Sequence, residues 1–530
     1  MIFKSPYPAV DIPDVPVTSY ALRREKEFGD KTALIDAPTG ETLTFSELAS
    51  LIRKTAGGLA ARGFGKGDVL AIYSPNTLHY PVAFHGAAHA GGVITTVNPM
   101  YTTEELAKQL RDSGARFLLT SGPFLENARE AAEEVGGVDE IFTFDGAEGS
   151  TPFSELLEAD ELEKGPDIDP ATDLVALPYS SGTTGISKGV MLTHRNLVAN
   201  MCQITGTASR SWEIDADSTL IAVLPFFHIY GMGVIMNYAL SKGANIVIMP
   251  RFDLEAFLDA IQRYKVTYAH VVPPILLALA KHPVVDQYDL SSLDVINSGA
   301  APLGEDLARA AEERIGCIVS QGYGLTETSP VTHHARNKKK GGFPQASIGP
   351  ALPNTEVMIV DTATGVALGV GERGELHIRG PQVMAGYLGQ PEATAATIDA
   401  DGWLHTGDVA YVDEDGNFFI VDRVKELIKY KGYQVAPAEL EALLLTNPHI
   451  KDAAVIRSPD EEAGEVPKAL VVSDGSLSAE DVIDFVAEHV APHKKIRRVE
   501  FVDEVPKSPS GKILRRVLID RELAAMEQGT

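Results

Sequence analysis

Cysteine is nearly absent: Cys202 and Cys317 are the only two in 530 residues. Two thiols cannot build a disulfide framework, and their separation matches no metal-ligand spacing, which points to a reducing compartment. Positive charge is scarce as well. Forty-six Lys+Arg face 73 Asp+Glu, a formal net charge of −27. That balance excludes a general nucleic-acid binder and docking on an anionic membrane surface, since both need a positive field. No run of 18 uninterrupted apolar residues occurs, so no membrane span is expected. The opening MIFKSPYPAVDIPDVP lacks the apolar stretch of a secretion signal, and the closing MEQGT is no peroxisomal or retention address. The expected setting is therefore cytoplasmic.

What is present is ordinary in bulk and uneven in detail. With 44% hydrophobic and 22% charged residues, the chain can fill the cores of two to four domains. Residues 422–530 hold 16 Lys+Arg against 20 Asp+Glu, a net −4, which leaves −23 for the first 421. A relatively basic tail thus follows an acidic body. Through the first half, strand-like runs (DVLAIYSP, GGVITTVNP, ARFLLTS, DEIFTFD) alternate with helical ones, including a helix near Tyr80 to His89. This alternation predicts parallel α/β layers. Thr44 with Glu47 and Thr102 with Glu105 fit the reciprocal capping pattern at two helix starts. TLIAVLPFF, NIVIMP, TYAHVVP and LDVINSGA extend a second α/β layer to about residue 330. After Ser347, short strands separated by Gly, Asp and Pro predict a small antiparallel β unit. A literal G-x-G-x-x-G at Gly369–Gly374 inside it precedes a strand rather than a helix, so a hairpin loop is expected there and not a dinucleotide turn. Beyond Asp422, three strands and two helices, from about Pro437 and from Ser478, predict a separate α+β domain.

One loop carries the densest chemical signal. YSSGTTGISKG, residues 179–189, packs three glycines, three serines, two threonines and one lysine between strand-like flanks. Such a run either cradles phosphates with backbone N–H groups and hydroxyls or is a plain flexible turn. It is not a P-loop, because Ser187 and Gly189 flank Lys188 and no hydroxyl follows the lysine to hold Mg²⁺. Glu327 in QGYGLTETSP could offer a carboxylate to a metal, or be a solvated turn residue. Asp408 in GWLHTGD could accept both hydroxyls of a ribose, or be a plain turn residue. His228 in LPFFHIYGM reads, taken alone, as a satisfied core histidine. Lysines cluster in KELIKYKGYQ, where a solvated basic face is the bland reading, and Lys512 follows a Ser-Pro-Ser-Gly turn. The basic runs at 336–340 and 494–498 read as solvated surface.

Taken in order, YSSGTTGISKG, FFHIYGM, NSGAAPLG, QGYGLTET, GWLHTGD, DRVKELIKYKGYQVAPAELE and PKSPSGKILRR resemble the adenylate-forming superfamily of acyl-CoA synthetases, coumarate:CoA ligases and beetle luciferases, across nearly the whole chain. FFHIYGM and IKYKGYQVAPAELEA place the resemblance closest to the coumarate:CoA ligase group. The resemblance implies an α/β fold: a large N-terminal domain, residues 1–421, of two α/β layers plus a small β unit, then a small mobile α+β domain, 422–530, with a hinge at Lys425. It implies ligase chemistry, in which ATP and a carboxylic acid give acyl-AMP and pyrophosphate, and coenzyme A then takes the acyl group. Mg²⁺ is the implied cofactor, and the small-molecule acid, ATP and coenzyme A are the implied partners. The same fold also serves luciferase-like oxygenases, carrier-loading adenylating enzymes and non-catalytic acyl or nucleotide sensors.

By the same resemblance, Ser180, Ser181, Gly182, Thr183, Thr184, Gly185 and Lys188 hold the polyphosphate, and Glu327 with Thr184 holds Mg²⁺. Tyr323 stacks on the adenine with Gly299, Ala300 and Ala301 walling the same slot, Gln321, Gly322, Gly324 and Thr326 belong to the ATP- and AMP-binding set, and Asp408 and Arg423 grip the ribose. Lys512 bridges the attacking carboxylate and the α-phosphate. After a swing about Lys425, Lys429 replaces it, beside a coenzyme A set of Lys431, Gly432, Tyr433 and Gln434. His228 closes the acyl pocket, whose other walls are Tyr230, Val234, Asn297, Ala300, Gly322, Gly324, Pro330 and Val331. Plant coumarate ligases carry lysine, glycine and serine where Asn297, Ala300 and Val234 stand. A less polar, somewhat narrower slot is thereby implied, suited to cinnamate-like or other aryl acids or to medium-chain fatty acids.

Overall fold

The computed structural model describes residues 1–180, 187–207, 214–335, 344–431, 433–460 and 462–528, the side chains of 527 and 528 aside. Its first α/β layer is a sheet whose centre is four parallel strands, Val93–Val97, Val69–Tyr73, Ala115–Thr120 and Glu140–Thr143. Val69–Tyr73 and Val93–Val97 are buried along their full lengths, as strands covered by helices on both faces must be. Thr44 and Thr102 cap their helices in the reciprocal fashion, with Glu47 and Glu105 returning to the cap backbones.

The second layer is built on parallel strands in the spatial order Ile318–Gly324, Val295–Ser298, Tyr268–Val271, Thr219–Ala222, Asn245–Ile248 and Thr32–Asp36. One large apolar core runs through both layers, from Val17 to Tyr387. The first three strands end at Gly324, Ser298 and Val271, on the carboxyl edge where open α/β sheets bind ligands.

The β unit after Ser347 is an antiparallel sheet of Glu356–Val360, Gly374–Arg379, Leu404–Val412 and Phe418–Arg423, joined at its edge by the N-terminal strand Ile2–Lys4. The segment Gly369–Gly374 is the turn of a hairpin in this sheet. A further sheet pairs Ile450–Asp460 with Gly464–Ser473, the hairpin Ile428–Tyr430/Tyr433–Val435 and Arg498–Phe501, and it has its own core around Ile428, Leu440 and Val471. Helices Pro437–Leu444 and Ala479–His489 stand as the sequence predicts. A third helix, Arg515–Gln528, adds to the two that the sequence predicts; its apolar residues follow no clear amphipathic period.

The basic run at 494–498 is not solvated surface. Lys494 pairs with Glu439 at 2.6 Å, Arg497 lies over the Tyr430 ring at 4.9 Å, and Arg498 donates to Ser458 and Pro459. Its counterpart at 336–340 lies outside the described residues.

Candidate active site

The glycine-rich loop is closed at its base as a hairpin: Tyr179–Ser180 pairs antiparallel with Lys188–Gly189. The Ser180 hydroxyl donates to Glu327 Oε1 at 2.7 Å, and the Tyr387 hydroxyl donates to the same oxygen at 2.9 Å. The Lys188 ammonium lies over the Tyr387 ring at 4.7 Å. Three distant segments therefore meet at one carboxylate. Ser181, Gly182, Thr183, Thr184 and Gly185 lie outside the described residues. Glu327 is buried, yet among the described residues its Oε2 accepts no hydrogen bond. Those residues also hold no group of three or more His, Cys, Asp or Glu able to bind a metal. A single free carboxylate oxygen suits Mg²⁺, which keeps most of its ligands from water and substrate phosphates.

Asp408 and Arg423 are opposite each other on neighbouring antiparallel strands, which puts the guanidinium 3.4 Å from the buried carboxylate. The Tyr323 hydroxyl donates to the other carboxylate oxygen at 2.5 Å. Burial raises the Asp408 carboxyl above its usual range, against the pull of Arg423, Tyr323 and Lys512. Lys512 reaches this site from the C-terminal domain. Burial pulls its ammonium below the usual lysine range and Arg423 adds to that, while Asp408, Glu327 and Glu426 oppose it. The tip carrying it is seated by Gly511, where a Cβ would stand 2.9 Å from Val272 Cγ2 and the backbone φ is +78°. Both the space and the backbone require glycine there.

Lys512 also lines a cavity of about 130 Å³. His228, Tyr230, Val234, Asn297, Gly299, Ala300, Gly322, Tyr323, Gly324, Thr326, Pro330 and Val331 share its wall. The His228 Nδ1 accepts from the Tyr230 backbone N–H at 3.2 Å, and burial, followed by the Lys512 charge, pushes the imidazole down to about 3. It is therefore neutral at physiological pH. Two residues of the nucleotide set do not line this cavity: Gln321, whose amide donates to the Leu303 and Gln345 carbonyls, and Ala301.

Side chains of a strand alternate between faces, and three strands in register present theirs in tiers: Tyr268 beside Val295, then His270, Asn297 and Ser320, then Gly299 and Gly322. The Tyr230 hydroxyl donates to Asn297 Oδ1 at 3.0 Å, and the Asn297 amide donates to Ser320 Oγ and His334 Nε2, each at 2.9 Å. The slot therefore carries polar groups besides Asn297. Asn297, Ala300 and Val234 lack charge, but Tyr268, His270, Ser320 and His334 supply polar groups that the resemblance did not place. The alternation of Tyr268 and His270 in TYAHVV was the available signal. Tyr230, Val234 and Tyr238 join the lining from Tyr230–Tyr238, a π-helix, a winding often found at functional sites.

The coenzyme A set is not at this cavity. Lys429, Lys431, Tyr433 and Gln434 sit exposed on the hairpin Ile428–Tyr430/Tyr433–Val435. Lys431 is paired with Glu462, and Tyr433 stacks on His493 at 4.7 Å between centroids. Gly432 lies outside the described residues. Lys425 occupies the turn after Arg423, and its carbonyl accepts from Arg457 at 3.0 Å.

Comparison with known proteins agrees with this assembly. The chain matches the AMP-binding enzyme family over residues 22–388 and the AMP-binding enzyme C-terminal domain over 439–512. It is 47% identical to a 4-coumarate–CoA ligase of Pinus taeda, over 98% of this chain and 97% of that one, and 45% identical to 4-coumarate–CoA ligase 1 of Petroselinum crispum, over 98% and 96%. Among solved structures, an anthranilate CoA ligase in complex with anthranoyl-AMP superposes with a TM-score of 0.89 at 25% identity, covering 97% of this chain and 98% of that one. ATP-bound MatB from Rhodopseudomonas palustris gives 0.85 at 29% identity, covering 96% and 99%. With both parts of the family matched in order and Lys512 seated against the larger one, this chain belongs to the AMP-binding enzyme family.

Proposed function

We infer that this enzyme is an ATP-dependent acid–thiol ligase of the 4-coumarate:CoA ligase type, which activates an aryl carboxylic acid as acyl-AMP, releases pyrophosphate and passes the acyl group to coenzyme A. The observation that carries the reading is the convergence of Lys512, Glu327, Asp408 and His228 on one site. Attack of a carboxylate on the α-phosphorus brings two anions together, so catalysis rests on positive charge and aligned donors rather than on an acid or base. Lys512 supplies that charge between the carboxylate and the α-phosphate. One such ion pair at 4 Å and an effective dielectric of 20 is worth about 4 kcal/mol, a rate factor of roughly a thousand. Asp408 accepts the ribose hydroxyls, held in place by Arg423, and Tyr323 flanks the adenine. Neutral His228 closes the acyl slot near Lys512 without adding a competing charge.

Mg²⁺, when bound, neutralises the departing pyrophosphate. Glu327, with Ser180 and Tyr387 donating to its Oε1, would hold it, and Lys188 and the hydroxyl loop would hold the phosphates. The second half-reaction uses the exposed hairpin. The domain formed by residues 422–530 turns about Lys425 relative to residues 1–421, withdrawing Lys512 and delivering Lys429 with the coenzyme A contacts Lys431, Gly432, Tyr433 and Gln434. Two buried, unpaired cysteines accord with a cytoplasmic setting. Incubation with ATP, Mg²⁺, coenzyme A and a panel of aryl and aliphatic acids tests the reading: AMP and thioester formed in equal amounts are expected, and ATP left intact with every acid would refute it.

A further inference from the structure

Asp408 owes its aim to a break in its strand. Gly374 and Glu375 pair with Ala410 and Val409, and His377 pairs with His405, so that Leu376 alone faces Thr406, Gly407 and Asp408. Such a bulge turns a side chain out of the regular alternation, and bulges gather beside active sites. Its backbone groups lose their ladder partners and need others. Gly407 stands at φ +72°, left-handed backbone that favours glycine. The Asp408 N–H donates to Thr406 Oγ1 at 3.1 Å, and the Thr406 hydroxyl donates to the Leu376 carbonyl at 2.7 Å. The Gly407 carbonyl accepts from the Val424 N–H at 2.8 Å. There remains the Gly407 N–H, and it donates to Glu375 Oε1 at 2.9 Å.

Glu375, 32 residues earlier in the chain, thus completes the bulge from the facing strand. Its second oxygen lies 3.5 Å from His377 Nε2, and the His377 ring stacks on His405 at 4.0 Å between centroids. Burial raises the Glu375 carboxyl, but His377 and the Gly407 N–H outweigh it and hold the group below the usual glutamate range. The acceptor is therefore ionised at neutral pH, which makes the stronger hydrogen bond. Glu375 does not line the cavity, so whatever it does there passes through the backbone. We propose that Glu375 is a positioning residue for ribose recognition: by holding the Gly407 N–H it fixes the bulge that presents Asp408 to the ribose hydroxyls. This goes beyond the ligase reading and rests on its assignment of Asp408 to the ribose.

The test compares kcat/KM for ATP with that for 2′,3′-dideoxy-ATP, which lacks both hydroxyls, in pyrophosphate exchange with the acid that yields most AMP. The wild-type enzyme should prefer ATP by at least about tenfold, the loss expected when a carboxylate is deprived of its donors. Glu375→Asp keeps the charge but is one methylene too short to reach Gly407, whereas Glu375→Gln keeps the reach and an acceptor oxygen. Glu375→Asp and Glu375→Ala should each lower the preference at least about fivefold through a higher KM for ATP, and Glu375→Gln should hold it within about twofold. KM for the acid and the use of dideoxy-ATP should change little. Added to Asp408→Ala, Glu375→Ala should alter the preference no further, because both act on one contact. Thermal melting establishes that the variants fold; should Glu375→Ala not fold, Glu375→Asp decides. An unchanged preference in folded Glu375→Asp or Glu375→Ala, or an equal loss with both nucleotides, overturns the proposal. Equal use of the two nucleotides by the wild type removes the ribose role of Asp408 and the proposal with it. Absence of AMP with every acid instead refutes the ligase reading, and the proposal falls with that.

Discussion

At the scale of single residues, the site turns on a buried ammonium. Lys512→Ala should lower acyl-AMP formation by roughly a thousandfold while leaving thioester formation from a preformed acyl-AMP nearly intact. Pyrophosphate exchange and single-turnover thioester assays separate the two, and equal loss in both would count against the division of labour. The pH dependence has a defined sign. The charged form is the active one, and burial with Arg423 lowers its pKa from the usual 10.5. In the free enzyme, kcat/KM for adenylation should therefore hold at lower pH and fall as pH rises through a value below the ordinary lysine range. Asp408 opposes that lowering, so Asp408→Asn should move the alkaline limb to lower pH still.

Ala300 is a second residue with a local consequence, since it lines the cavity with φ at +68°, a backbone region that suits glycine. Ala300→Gly should raise the unfolding free energy by about 0.5–1 kcal/mol and admit bulkier acids, as seen in urea melts and in KM across ring substituents.

At the scale of elements, the π-helix Tyr230–Tyr238 lends Tyr230, Val234 and Tyr238 to the cavity lining while Met232, Ile235 and Met236 are buried. Val234→Phe should therefore fill acyl space: KM for aryl acids should rise at least about tenfold, with a stability cost of roughly 1–3 kcal/mol from overpacking. A matching change for a short aliphatic acid would show instead that the nucleotide slot had been disturbed.

Elements also show what the sequence made legible. Capping pairs at Thr44, Thr102 and Ser478 are local chemistry and could be read directly, as could the Pro437 helix start and the change to antiparallel strands after Ser347. Lys512, Asp408 and Glu327 were visible because each sits in a distinctive string. The polar floor was not, because Tyr268 and His270 look like ordinary core residues until register places them beside Asn297 and Ser320. The π-helix left no trace either, since GMGVIMN is apolar all round and shows neither a 3.6 nor a 4.4 period. Thr326 and Gly324 could be assigned to a slot, whereas the turning-away of Gln321 depends on the Leu303 and Gln345 carbonyls, which only tertiary structure brings near.

For the whole molecule, the uneven charge count acquires a geometry: Lys512 is inside the cavity while Lys429 and Lys431 are exposed on the same C-terminal domain. If each lysine group serves one half-reaction, holding the two domains in the present arrangement must spare the first and abolish the second. The contact for such a staple is available. A Cβ at Gly304 would lie 3.2 Å from the Ala442 Cβ, joining the cap of helix Glu305–Ile315 to helix Pro437–Leu444. Disulfides need Cβ atoms about 3.5–4.5 Å apart, within a few tenths of an ångström of this spacing. The native Cys202 and Cys317 are both buried and free, so they should not compete. Oxidised Gly304→Cys/Ala442→Cys should form acyl-AMP at close to the wild-type rate but release little thioester, and dithiothreitol should restore thioester formation in the same sample. Undiminished thioester formation by the fully cross-linked protein would mean that coenzyme A is acylated without domain rotation, and the role of the exposed hairpin would have to be given up.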